Sequence, residues 1–321
     1  MEMLSVRNLV TQFSIKAGQV KAVDGISFTL NEGETLGLVG ESGCGKTTTA
    51  LSIAGLLPSE GRVVSGEILL SGIDLLTLSQ EELRKRRWKD ISVIFQGAMN
   101  ALNPVMKVGD QITEVIMLHD NKNYQEARKQ VRELFSLVEI DPDRIDGYPH
   151  EFSGGMKQRV MIAMALACRP KIVIGDEPTT ALDVMVQAQI LNLLERLCRD
   201  IKMGLLLITH DLSVLGEIAD KVAVMYAGKI VEMGSTEDIL TQYRHPYTEK
   251  LVHSFPDIYG KREMVSSIPG DPPNLIDPPS GCRFHPRCSL ATIRCRTEEP
   301  GYIDLGGGHI TACHEIRGYE K

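Results

Sequence analysis

The chain has 321 residues, 24% of them charged, with a formal net charge of −7. That length suits one large domain or two smaller ones, and the apolar content is that of an ordinary globular protein. The acidic balance gives no electrostatic reason to expect a nucleic acid as partner. The start, Met1 to Phe13, carries early charges and is not expected to be a signal peptide. No window approaches the roughly 18 apolar residues of a spanning helix, and Val160 to Cys168 is the most apolar stretch. The expectation is a soluble protein whose link to a membrane runs through another subunit.

Residues 3–13 and 21–39 alternate apolar and polar positions and read as antiparallel strands, with Gly25 and Asn31-Glu32-Gly33 as turns. Leu36 to Val39 is a short buried strand leading into glycine-rich sequence, and Thr47 to Leu57 reads as a helix stopped by Pro58. Gly66 to Leu76 reads as a strand with a turn, and Ile91 to Phe95 as a buried strand. Residues 108–140 turn helical, followed by an apolar helix from Ser153 to Cys168. A strand at Lys171 to Gly175, an amphipathic helix at Val186 to Ile201 and a strand at Leu205 to Thr209 complete the alternation. Strands alternating with helices predict an α/β fold with a mostly parallel sheet. The composition changes near residue 240, beyond which Pro, Gly and Cys accumulate, so 1–240 and 241–321 are expected to be a main domain and a small appended module. No internal repeat is visible.

The segment Gly40, Glu41, Ser42, Gly43, Cys44, Gly45, Lys46, Thr47 fits the G-x-x-x-x-G-K-[ST] phosphate-loop pattern. Its glycines let the backbone wrap an anion with successive N–H groups, and the following helix N-terminus faces the same charge. Lys46 is expected on the β and γ phosphates of ATP and the Thr47 hydroxyl on Mg²⁺, with Thr48 next to them but one step further round the helix. Cys44 reads as a small filler, not a nucleophile. The strand at 171–175 ends in Asp176 and Glu177. Asp176 is placed to hold Mg²⁺ and Glu177 to polarise the water that attacks the γ phosphate. His210 follows the strand at 205–209, on the ligand side of an open α/β sheet, where a histidine can meet the γ phosphate.

Ser153, Gly154, Gly155, Met156, Lys157 and Gln158 open a second helix with an anion-binding terminus that lacks the lysine. Together with the phosphate loop, this Ser-Gly-Gly-x-x-Gln signature resembles the ABC ATPases, in which it meets ATP held by a partner subunit. The resemblance spans residues 1 to about 240. It implies a P-loop NTPase with a RecA-like lobe, an antiparallel β layer and a helical lobe near 97–165. It also implies that Phe13 stacks on adenine, that Gln96 senses Mg²⁺ and the transmembrane partner, that Thr180 to Asp183 is the D-loop, and that His210 is the switch histidine. Gly175 and Met156-Lys157 depart slightly from the usual pattern and leave the phosphate-facing atoms in place.

Gln96 to Pro104, Tyr148 to Ser153 and His245-Pro-Tyr247 resemble one branch, the dipeptide and oligopeptide importer ATPases, which also includes some nickel and oligosaccharide importers. Membership implies ATP hydrolysis coupled to uptake and location at the cytoplasmic face of the membrane. The implied partners are a second ATPase subunit, often a different chain, two transmembrane permease subunits and, indirectly, an extracellular binding protein. An ABC ATPase acting on DNA or ribosomes is the competing class. Such proteins commonly join two cassettes or insert long coiled coils, and neither is present. A non-hydrolysing regulatory subunit is disfavoured by Glu177 and His210.

Four of the seven cysteines, Cys282, Cys288, Cys295 and Cys313, lie in the last 40 residues. Four thiolates in a loop-rich tail suit a [4Fe–4S] cluster or a structural Zn²⁺, although the spacing is not that of a zinc ribbon. Phe284 to Cys288 resembles the tail of the same importer ATPases, some of which carry a [4Fe–4S] cluster there. Arg283, Arg287, Arg294 and Arg296 are expected to offset the thiolate charge. The basic run Arg84 to Lys89 follows Glu81 and Glu82 and reads as a solvated helix face.

Overall fold

A computed structural model describes residues 1–97, 101–180, 182–254 and 268–316. The chain divides into two compact units, one of residues 1–4, 30–35 and 69–207, the other of 5–29, 36–68 and 208–321.

The first unit contains the parallel strands Ile91–Ile94 and Ile172–Asp176, with Gly204–Thr209 next to the latter. Ile172–Asp176 is buried along its whole length, as expected of a strand covered on both faces. Helices Val108–Asp120 and Tyr124–Leu137 replace the single helical stretch expected at 108–140. Asn121 takes a left-handed conformation (φ 53°) that ends the first, and Asn123 starts the second with a capping box. Ala127, Val131, Leu134 and Phe135 then share one buried face of Tyr124–Leu137. Asp183 caps helix Val184–Asp200, accepting the Val186 N–H at 3.0 Å.

The strand with a turn expected at Gly66 to Leu76 is the end of Gly61–Leu70, a turn and the short strand Ile73–Asp74. Leu69 pairs with Asp74 and Leu70 with Ile73 across Ser71 and Gly72, both at positive φ, as a two-residue hairpin requires.

The second unit orders its strands Ile303–Gly306, His309–Thr311, Lys229–Ser235, Lys221–Tyr226 and Thr35–Val39. Only the last neighbouring pair is parallel. The tail thus adds two strands to a sheet edge, because Ile310 and Thr311 register against Met233 and Glu232. Strands Gly18–Asn31, Glu2–Ile15 and Gly61–Leu70 neighbour one another in that order.

On strand Lys229–Ser235, opposite Thr311, lies Glu232, a fully buried carboxylate. It accepts Arg244 N–H at 2.6 Å and His245 N–H at 3.0 Å, and stands 2.9 Å from His309 Nε2. Three partners answer the desolvation that an isolated buried carboxylate would suffer.

Candidate functional site: the phosphate loop and the strand-end carboxylates

Between strand Thr35–Val39 and helix Lys46–Ala54, residues 40–45 turn through several positive-φ glycines. A Cβ at Gly45 (φ 110°) would stand 2.2 Å from the Ala22 carbonyl oxygen, and one at Gly40 2.0 Å from that of Met225. Only glycine tolerates such approaches. Lys46 is buried, and its ammonium donates to the loop's own carbonyls at Gly40 (2.7 Å) and Glu41 (3.0 Å). Cys44 lies 3.7 Å from that ammonium, and burial pushes its thiol up despite the cation, consistent with a filler role. The Thr47 side chain is exposed, and Thr48 is half-buried on the next helical step. Ser42 and Gly43 are exposed at the loop's crest. Phe13 is half-buried, with its ring against the backbone of Gly61, where a Cβ would meet Phe13 Cε1 at 2.8 Å.

Glu41 is held twice by residues from far along the chain. Its N–H donates to the Tyr247 hydroxyl at 3.0 Å, and its carboxylate receives both Arg287 Nη atoms at 2.6 and 2.9 Å. Neither contact was visible in the sequence, since nothing in the spacing relates positions more than 200 residues apart. His210 follows strand Gly204–Thr209 and is exposed.

In the first unit, Asp176 ends its strand nearly buried, and Glu177 follows with a left-handed backbone (φ 47°) that carries its side chain off the strand line. Glu177 Oε2 accepts Gln96 Nε2 at 2.9 Å and Thr180 Oγ1 at 3.1 Å. The candidate base and the glutamine, 81 positions apart, are thus in contact, with Thr180 as a second support. Ser153 caps helix Gly154–Ala165 by accepting the Met156 N–H at 3.3 Å. Gly155 is pressed on helix Val184–Asp200, so that a Cβ there would meet Val186 Cγ1 at 2.7 Å. Gln158 is buried, and its Nε2 finds no hydrogen-bond partner among the described residues. Asp183 is exposed, engaged as the cap described above. Ala98, Met99 and Asn100 of the Gln96 to Pro104 motif, and Ala181 of the expected D-loop, lie outside the described residues.

The arginines of the tail do not serve as expected. Arg283 pairs with Asp24 and the Ala227 carbonyl, Arg287 with Glu41, and Arg294 with Glu298 at 2.9 Å, so carboxylates elsewhere engage three of the four. The basic run at 84–89 is similarly paired, Lys85 with Glu81 and Arg86 with Asp90.

Cys295 and Cys313 are buried, and Cys282 and Cys288 half-buried. Burial pushes the Cys282 thiol up to about 11 and that of Cys313 to about 12, and the charges of the other three thiolates add to the shift in Cys313. Main-chain N–H groups of Leu290 and Glu315 donate to the sulfurs of Cys288 and Cys313, each at 3.4 Å. Among the described residues, no three His, Cys, Asp or Glu side chains stand close enough together to hold a metal ion as placed. No helix among them is long and apolar enough to cross a membrane.

Residues 23–180 match the ABC transporter family, and residues 231–295 match the C-terminal region of oligopeptide/dipeptide transporters. The dipeptide transport ATP-binding protein DppD of Bacillus subtilis is 48% identical over 97% of this chain and 94% of its own length. The oligopeptide transport ATP-binding protein OppD of Escherichia coli is 47% identical over 97% of this chain and 92% of its own. Among solved structures, the dimeric ABC transporter cassette MJ0796 superposes with a TM-score of 0.65 at 26% identity, covering 73% of this chain and 99% of that one. The same cassette has been solved in a post-hydrolysis state bound to ADP and phosphate. The chain belongs to the ATP-binding proteins of ABC transporters, in the dipeptide and oligopeptide transporter group.

Proposed function

We propose that the chain is the ATP-hydrolysing subunit of a membrane importer of dipeptides or oligopeptides. The observation that carries the reading is the glycine turn that buries Lys46 and aims its ammonium along the loop's inner carbonyls, where a triphosphate can replace them. Residues 1–240 form the ATPase domain in this reading, and 241–321 an extension.

Lys46 binds the β and γ phosphates, and loop N–H groups between Ser42 and Thr48 surround them. Thr47, Asp176 and Gln96 are the residues that would hold Mg²⁺, which supplies charge neutralisation between the phosphates. Glu177, oriented by Gln96 and Thr180, polarises the attacking water. His210 steadies the γ phosphate, and Phe13 presents its ring to adenine. Ser153, Gly154, Gly155 and Gln158, with Asp183, meet the nucleotide of a second ATPase subunit, so that each site is completed by a head-to-tail pair. Closure on ATP and reopening after hydrolysis drive two permease subunits at the cytoplasmic face of the membrane. An extracellular binding protein delivers the peptide to them.

Cys282, Cys288, Cys295 and Cys313 would hold a [4Fe–4S] cluster. The chemistry of the donor set supports this reading: four thiols in one short tail, with main-chain N–H donors on Cys288 and Cys313. Bound there, a cluster would brace a segment poor in apolar residues.

Pull-down of the intact complex with its binding protein, followed by identification of the bound cargo, tests the transport assignment. Lys46→Ala in that complex is expected to lower ATP turnover by at least about 100-fold. Unchanged turnover would end the ATPase reading. Copurifying nucleic acid in place of hydrophobic permeases would end the transport reading.

A further inference from the structure

Glu41 is an anomaly in an anion-binding loop. Its carboxylate sits two positions before Gly43 and six before Thr47, on a turn whose backbone geometry suits a polyphosphate. A bare negative charge there opposes the binding of another anion. The structure supplies a counter-charge from the other end of the chain. Arg287 is nearly buried, and its fork grips both carboxylate oxygens of Glu41, at 2.6 Å for Oε2 and 2.9 Å for Oε1. A bidentate pair of this kind is among the strongest and most direction-specific of hydrogen-bonded contacts.

The guanidinium is itself fixed. Arg287 Nε donates to the Pro269 carbonyl at 2.8 Å, and Nη1 also reaches the Tyr226 hydroxyl at 3.3 Å. The backbone that delivers it is the short turn His285–Arg287, anchored by the Arg287 N–H on the Phe284 carbonyl at 3.0 Å and leading directly into Cys288. Phe284 packs edge-on against Tyr226 and Tyr247, and the Tyr247 hydroxyl takes the N–H of the same Glu41. The tail therefore fixes both the main chain and the charge of one phosphate-loop residue.

We propose that Arg287 is a positioning residue for the phosphate loop: carried on the turn that bears Cys288, it neutralises Glu41 and orients it, and so sets how tightly the loop holds ATP. The proposal rests on the ATPase reading above. It has a charge signature that mere packing lacks. Without Arg287 the carboxylate repels the phosphates, so ATP, the more highly charged nucleotide, loses more affinity than ADP. Removing the carboxylate's charge as well should undo the loss.

The test measures the dissociation constants of Mg-ATP and Mg-ADP for the full chain by equilibrium titration, and KM and kcat in the assembled complex. The affinity of the unsubstituted chain tests the ATPase reading separately. Arg287→Ala is expected to weaken ATP about tenfold, a usual size for coupling between neighbouring charged sites. ADP should weaken less, and the ATPase KM should rise while kcat changes by less than about twofold. Adding Glu41→Gln to that variant should restore ATP affinity to within about threefold of the original. Unchanged ATP affinity in Arg287→Ala, equal losses for ATP and ADP, or a double variant no better than the single one would each overturn the proposal. If Arg287→Ala fails to fold, Arg287→Lys carries the test. It keeps the charge but not the fork, so any loss should be equal for ATP and ADP, and a larger loss for ATP there refutes the proposal.

Discussion

Acidification should weaken the second unit through one ring. His245 is 1% exposed and caps helix Pro246–Val252, with its Nδ1 accepting the Tyr247 N–H at 3.0 Å. An acceptor nitrogen must be unprotonated, and complete burial pushes the His245 pKa down to about 3. In the unfolded chain the ring titrates near 6.5. The folded pKa lies below the unfolded one, and the group is a base. Its contribution is therefore whole above pH 6.5 and declines as the pH falls from 6.5 toward 3, because only the unfolded state takes up the proton. The slope is about 1.4 kcal/mol per pH unit, so pH 5 lies 1.5 units down and costs about 2 kcal/mol. At about 2 °C per kcal/mol for a chain of this size, that is a fall of about 4 °C in Tm. The assay is thermal unfolding followed by fluorescence from pH 7.5 to 5, comparing the native chain with His245→Asn. Asparagine can accept the same N–H and does not titrate. The gap between the two Tm curves should narrow by about 4 °C on acidification. Curves falling in parallel would refute the assignment of the buried ring as a neutral cap.

Other expectations concern the candidate catalytic groups. Glu177→Gln should lower the ATPase kcat by about 10²–10⁴-fold with nucleotide binding retained, and single-turnover kinetics checks it. Gln96→Ala removes a hydrogen bond to Glu177 and should lower kcat by about tenfold with little change in KM. Gly155→Val places side-chain atoms inside the contact with Val186. It should abolish turnover in the assembled complex while the chain's own phosphate loop still titrates with ATP. Protein purified without oxygen should contain iron and acid-labile sulfide and absorb broadly near the visible region, and Cys282→Ser with Cys313→Ser should lose both. A colourless, iron-free preparation would remove the cluster.

What could be read from the sequence was local. The phosphate loop is eight consecutive residues whose glycines, lysine and threonine mark it without reference to the rest of the chain. The same holds for Ser153 and Asp183, where a capping residue stands directly before an apolar helical pattern. Asn121 and Asn123 carried the break in the helical stretch at 108–140. They went unweighed, because charged and apolar residues continue the helical rhythm on either side. Contacts between distant positions were not legible from pattern alone. Gln96 and Glu177 were connected in role only through the family resemblance, and their hydrogen bond depends on the pairing of Ile91–Ile94 with Ile172–Asp176. Arg283 and Arg287 were misread because proximity in sequence to cysteines suggested a charge partner there. The fold instead gives them Asp24 and Glu41, 259 and 246 positions away.

The two short strands near the chain's end change what a shortened protein would be. Met233 and Glu232 register against Ile310 and Thr311, and His309–Thr311 in turn carries Ile303–Gly306. A chain cut after Pro300 would leave Lys229–Ser235 with a row of bare amides and carbonyls, open to pairing with any neighbouring molecule. The tail is in that sense a selvedge: it finishes the weave of the sheet, and trimming it invites fraying into aggregates before any chemistry is lost.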